Sequence, residues 1–137
     1  MKPPSNKAEY SKLWKILYVM YPPLLRLLEK FGFHRGRQEY HVGYLRPNYT
    51  LKEIRNYLVR KGFENAILAW KDSDEVLSMR LVHNKIFQYH IRMYKDMEIR
   101  GHYEYSSEGS PLKHISGKYF LQEKEFFQSL LRRYLKT

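Results

Sequence analysis

The chain has 137 residues, with 25 Lys and Arg against 14 Asp and Glu for a formal charge of +11, 43% hydrophobic residues and 13 Tyr. That length holds one domain with a proper core, so 1–137 reads as a single domain whose first residues, 1–6, form a short flexible arm. The aromatic content excludes a disordered basic tail. The absence of cysteine excludes a disulfide scaffold, a Cys zinc site, an iron–sulfur centre and a thiol nucleophile.

From Lys7 to Tyr21 the residues Tyr10, Leu13, Trp14, Leu17, Tyr18 and Tyr21 recur at helical spacing, and Ile16, Val19 and Met20 widen the apolar face. Pro22–Pro23 ends this helix and opens a second, Leu24 to Phe31, that stops at Gly32. No run reaches the ~18–20 apolar residues of a membrane span. The first apolar stretch carries Lys15 and is broken by the two prolines, so it does not read as a secretory signal. A cytoplasmic protein with no membrane partner is expected.

Residues 33–38 read as a basic loop, with Arg35 and Arg37 flanking Gly36. Glu39 to Leu45 alternates as a strand with Tyr40, Val42 and Tyr44 on one face. Thr50 and Glu53 form a capping box that starts a helix, with Leu51, Ile54, Tyr57 and Leu58 inward and an end near Gly62. The period then changes to two. Strands are expected at Ala66–Trp70, Glu75–His83, Phe87–Tyr94 and Glu98–Tyr105, followed by one helical turn at PLKHI. A closing helix, Gln122 to Lys136, follows, its inner face made of Phe126, Phe127, Leu130, Leu131 and Tyr134. The class is α+β: an antiparallel meander of four or five strands, with N-terminal, middle and C-terminal helices packed on one face.

Three-residue turns at Lys95-Asp96-Met97 and Asn84-Lys85-Ile86 set the register. They put Arg92 opposite Arg100, His90 opposite His102, Arg80 opposite His90 and Ser78 opposite Arg92. Tyr89, Ile91, Met93, Ile99 and Tyr103 then share the buried face, while Arg80, His90, Arg92, Arg100, His102 and Glu104 share a face expected to meet solvent. Like charges set opposite one another repel, and a bound anion relieves that repulsion. The ordinary alternative is that Glu98 and Glu104 neutralise a solvated face.

A reaction can be written on that face. His90 and His102 supply a base and an acid near neutral pH, and Glu104 orients an imidazole. Arg80, Arg92 and Arg100 hold a phosphate, aided by His114 from the following loop and by Arg35 and Arg37. These are the parts of a metal-independent endoribonuclease. His90, His102 and Glu104 are also a two-His, one-carboxylate set, but Arg92 and Arg100 alongside argue against a dication, so neither a metal nor a cofactor is expected. Dinucleotide, nucleotide-triphosphate, zincin and serine-hydrolase motifs are absent.

The pieces YHIRMYKDMEIRGHYEY, SPLKHI and EFFQSLLRRYL, within about residues 76–135, resemble the TumE-type toxins of prokaryotic toxin–antitoxin pairs. The toxins' Arg-Tyr-Asp-Asn run is replaced here by Tyr103-Glu104-Tyr105-Ser106, and their His-rich loop is reduced to Lys113-His114. The resemblance implies an RNA-directed toxin and carries over only Glu104 and His114. With the net charge, the leading expectation is a basic nucleic-acid-binding protein, RNA ahead of DNA, with ribonuclease activity. The alternative is a non-catalytic binding or assembly protein that forms a homodimer, or meets a protein partner, through its apolar N-terminal helices.

Overall fold

The computed structural model describes residues 39–66, 72–107, 109–116 and 119–136, together with Met20, Pro23, Leu24, Arg26, Leu27 and residues 30–32. The elements are β1 (Tyr40–Tyr44), α1 (Leu51–Arg60), β2 (Glu64–Asn65), β3 (Glu75–His83), β4 (Phe87–Tyr94), β5 (Glu98–Tyr105), α2 (Pro111–Ser116) and α3 (Lys124–Leu131). The five strands form one sheet in the order β1-β5-β4-β3-β2, every neighbouring pair antiparallel. The fold is α+β with an antiparallel sheet, and no described helix is long and apolar enough to cross a membrane.

The hairpin turns carry the register, as the alternation requires. Met97 takes the left-handed conformation (φ +69°) that closes a three-residue turn, and its amide donates to the Tyr94 carbonyl. Asn84 and Lys85 are both left-handed in the β3–β4 turn. The resulting pairs are Arg92↔Arg100, His90↔His102, Arg80↔His90 and Ser78↔Arg92.

Helix α1 starts on the full capping box: the Thr50 hydroxyl accepts from the Glu53 amide, and the Glu53 carboxylate accepts from the Thr50 amide. It ends through Gly62 (φ +94°), where the Phe63 amide reaches the Leu58 carbonyl. Ile54 and Leu58 from α1 and Phe127 and Leu131 from α3 join Met79, Ile91, Met93 and Ile99 of the sheet in one apolar core, all fully buried. Gly101 lets the Phe127 ring approach: a Cβ there would lie 3.0 Å from three of its ring carbons.

Several elements depart from expectation. The strand beside β3 is Glu64–Asn65, pairing with Arg80 and Met79; of the predicted Ala66–Trp70, residues 67–70 lie outside the described residues. A bulge between His41 and Gly43 interrupts the β1 alternation, so Val42 enters the core while Tyr44 is exposed. The closing helix is shorter than the apolar period suggests, because Leu135 leaves it to bridge Leu45. The short helix α2 delivers His114 to the polar side of the sheet, away from the Ile91 side. The first N-terminal helix lies outside the described residues except for Met20. Of the second, Pro23, Leu24, Arg26, Leu27 and Lys30 are helical, and Gly32 (φ +74°) follows.

Candidate functional site

Alternation along β4 and β5 sends Gln88, His90 and Arg92, and Arg100, His102 and Glu104, to the sheet face opposite the apolar core. Alternation alone predicts that this face meets solvent. Instead Arg80, Gln88, His90, Arg92, His102 and Glu104 are all buried. Burial of so many polar groups is tolerable only when they satisfy one another.

The cations find carboxylates. Arg80 bonds Glu64 through Nε at 2.9 Å and reaches Gln88 Oε1 at 3.3 Å. Arg92 Nη1 lies 3.0 Å from Glu39 and 3.4 Å from Glu75, as charge contacts outside hydrogen-bond alignment. Arg100, the half-exposed member, bonds Glu98 at 2.8 Å and stacks over the Tyr94 ring at 4.5 Å. The Tyr94 hydroxyl donates to Glu39 and lies 3.3 Å from Asp72. The repulsion between Arg92 and Arg100 is thus already relieved by side chains of the protein.

Next to this network lies a second cluster, formed by imidazoles around one carboxylate. Glu104 has His102 Nε2 at 3.2 Å and His90 Nδ1 at 3.9 Å from Oε1, and His114 Nδ1 at 3.6 Å from Oε2. Gln88 Nε2 donates to Oε1 at 2.8 Å, and the Ser78 hydroxyl meets His90 Nε2 at 2.9 Å. The His90 and His102 rings cross edge-on at 5.1 Å, and Phe120 packs edge-on against His102. His114 is held by the Tyr105 carbonyl at its Nδ1. His102 Nε2 is buried and misaligned for a hydrogen bond to the carboxylate it faces.

Burial alone would raise the Glu104 carboxyl, but the facing imidazoles, His114 and His102 foremost, outweigh it and bring the group down to about 2. The site therefore presents a carboxylate held in its ionised form by the imidazoles that face it.

The structure brings together His90, His102, Glu104 and His114 from the sequence reading. It assigns Arg80, Arg92 and Arg100 to ion pairs, and Arg35 and Arg37 lie outside the described residues. His41 sits at the sheet edge against Glu98. Sequence reasoning missed Glu39, Glu64, Glu75 and Gln88. Alternation with His90 and Arg92 would have found Gln88; the carboxylates come from other strands and a strand flank, with no local signal pointing to them.

Comparison with family models, with curated proteins and with solved structures gave no match in any of the three.

Proposed function

We propose that this is a basic nucleic-acid-binding protein, acting on RNA ahead of DNA in the cytoplasm, that cleaves RNA at the imidazole–carboxylate cluster. The observation that carries the reading is the convergence of His102, His114 and His90 on Glu104 within 3.2–3.9 Å in a protein of charge +11. Imidazoles exchange protons near neutral pH: one takes the 2′-hydroxyl proton and another protonates the leaving 5′-oxygen. The resemblance to TumE-type toxins supports the same pair of positions, since Glu104 and His114, the two it carries over, lie 3.6 Å apart. All four side chains are less than one-tenth exposed, so cleavage requires the short α2 to yield to substrate.

The test is cleavage of a labelled single-stranded RNA by the full chain. His102→Ala and His114→Ala should each lower the rate by ~10²-fold or more, the usual acid–base contribution, while RNA affinity changes little. Wild-type protein that retains RNA but never cleaves it would leave binding alone.

Exposed Met20, Leu24, Leu27 and Phe31 support assembly through the N-terminal helices as the second reading. It predicts a dimer by light scattering that Leu27→Glu with Phe31→Glu converts to monomer.

A further inference from the structure

We infer that His90, His102 and Glu104 form a binding site for one divalent transition-metal ion of the zinc class. The inference uses the cluster described above but does not rest on RNA cleavage; with an ion bound, His102 is a ligand, so the acid–base role proposed for it belongs to the metal-free protein.

Each of the three residues offers one ligand atom, and these atoms all lie within 4.8 Å of one another. Ligands bound at ~2.0–2.2 Å around a tetrahedral ion sit roughly 3.3–3.6 Å apart. Glu104 Oε1 already lies 3.2 Å from His102 Nε2 and 3.9 Å from His90 Nδ1. The ligand atoms lie within 4.8 Å of one another, so closing the site on an ion requires the rings to draw together.

The surroundings are those of a ligand set. His102 Nε2 is buried and faces the Glu104 oxygen at 3.2 Å out of good hydrogen-bond alignment, a mismatch that an ion shared by both would remove. The Ser78 hydroxyl meets His90 Nε2 at 2.9 Å; a proton on that nitrogen would turn the Nδ1 lone pair toward the carboxylate 3.9 Å away. This is the outer-shell hydrogen bond that fixes the tautomer of ligating histidines. Gln88 holds the Glu104 oxygen in the same way at 2.8 Å. His114, 3.6 Å from the other Glu104 oxygen, completes the wall and remains an imidazole outside the ligand set.

Charge removes the objection raised by the sequence. Arg92 and Arg100 would repel a dication if they were unpaired, but Glu39, Glu75 and Glu98 match them, and Glu64 matches Arg80. What remains at the site itself is the Glu104 carboxylate facing the imidazoles. Two nitrogens and one carboxylate select a borderline transition metal; Mg²⁺ and Ca²⁺ require more oxygen ligands.

Chelator-stripped full-length protein is titrated calorimetrically with ZnCl₂, and with Co²⁺ as the optical probe. One ion per chain is expected, with a melting temperature that rises with free Zn²⁺ and a visible Co²⁺ band. Paramagnetic shifts should fall on the His90 and His102 rings. Glu104→Gln and His102→Ala should each weaken Zn²⁺ binding by more than ~100-fold, beyond the ~10–100-fold expected for the outer-shell change Ser78→Ala. His41→Ala, at the sheet edge, should leave binding unchanged.

Failure of the wild type to take up a stoichiometric ion overturns the inference. So does uptake that survives both ligand variants, or a preference for Mg²⁺. Should the variants not fold, absence of Co²⁺ shifts on His90 and His102 in the wild type overturns it equally. Zn²⁺ uptake without RNA cleavage upholds the metal site and removes the ribonuclease proposal; cleavage by chelated protein that takes up no Zn²⁺ does the reverse.

Discussion

Arg92 shows how a charged side chain is held inside this fold. Its own side chain and those of Glu39 and Glu75 are nearly inaccessible, so removing the cation leaves two carboxylates buried together. Breaking such a pair costs about 3–5 kcal/mol, far more than the pair contributes over an apolar replacement. Arg92→Ala should therefore lower unfolding free energy by that amount in a urea titration, and adding Glu39→Gln and Glu75→Gln should recover much of it. A loss below ~1 kcal/mol would mean that the carboxylates regain water.

Glu98 gives the pH counterpart. The Arg100 hydrogen bond holds its carboxyl below the usual 4.5, against a smaller raising effect of burial, and His41 adds to the lowering. A depressed folded value stabilises the native state above the unfolded value and loses that contribution as pH falls through the folded one. Unfolding free energy should thus decline on acidification below about 4.5, and Glu98→Gln should flatten that decline. Because Arg100 is partly exposed, the effect should stay below ~1 kcal/mol. An identical slope in the variant would remove Glu98 from the acid response.

At the scale of elements, the hairpins are where sequence and structure agree most closely. Period-two alternation and two three-residue turns specify which residues face each other, and His90↔His102 and Arg92↔Arg100 follow. The fate of that face is not a property of the hairpin. Its burial depends on Glu39 beside β1, Glu64 on β2 and Glu75 on β3, and pairing over such sequence distances leaves no periodic trace. The same holds for β2, whose two residues are too few to alternate, and for the end of α3, where a tertiary bridge from Leu135 to Leu45 overrides helical periodicity.

The loop between β5 and α2 links turn geometry to the cluster. The Ser106 amide donates to the Ile86 carbonyl at 2.7 Å, and the Gly109 amide donates to the Ser106 hydroxyl at 3.0 Å. A Cβ on Gly109 would collide with the Ile86 backbone and lie 2.8 Å from the Lys85 and Ile86 carbonyl oxygens. Backbone cannot yield as a side chain can, so Gly109→Ala should lift the loop from the β3–β4 turn and carry His114 away from Glu104. Overpacking of this kind costs roughly 1–3 kcal/mol. The His114 ring resonances should shift while those of His41 stay in place; unchanged His114 resonances would show that α2 is positioned independently of the loop.

For the whole molecule the question is where the excess positive charge is displayed. Arg80 and Arg92 are buried against carboxylates, so they add nothing to the outer surface. The exposed cations of α1, α3 and the residues just after them are Lys52, Arg55, Arg60 and Lys61, and Lys124, Arg132, Arg133 and Lys136. Arg60 and Arg133 line a common groove with Tyr49, Asn56 and the carboxylate of Glu53, and Arg133 bonds the Tyr49 hydroxyl at 3.1 Å. On the proposed nucleic-acid reading, RNA held by this helical surface would lie on the sheet face opposite the imidazole cluster, so binding there and cleavage at the cluster are separate tests; if six to ten phosphates are neutralised, counterion release should lower the affinity by roughly 10³–10⁵-fold between ~50 and ~200 mM salt. Neutralising Arg60, Lys61, Arg132 and Arg133 to Gln should weaken binding uniformly across RNA sequences and reduce the salt slope by roughly one for each phosphate left without its cation. Arg92→Met combined with Glu39→Gln and Glu75→Gln, which removes the buried charges together, should leave the slope unchanged because none of them reaches the surface. A filter-binding titration in which the wild type retains no RNA at ~50 mM salt would remove nucleic acid as the partner. A slope that responds to this Arg92, Glu39 and Glu75 variant and ignores the four helical cations would move the binding surface from the helices to the sheet.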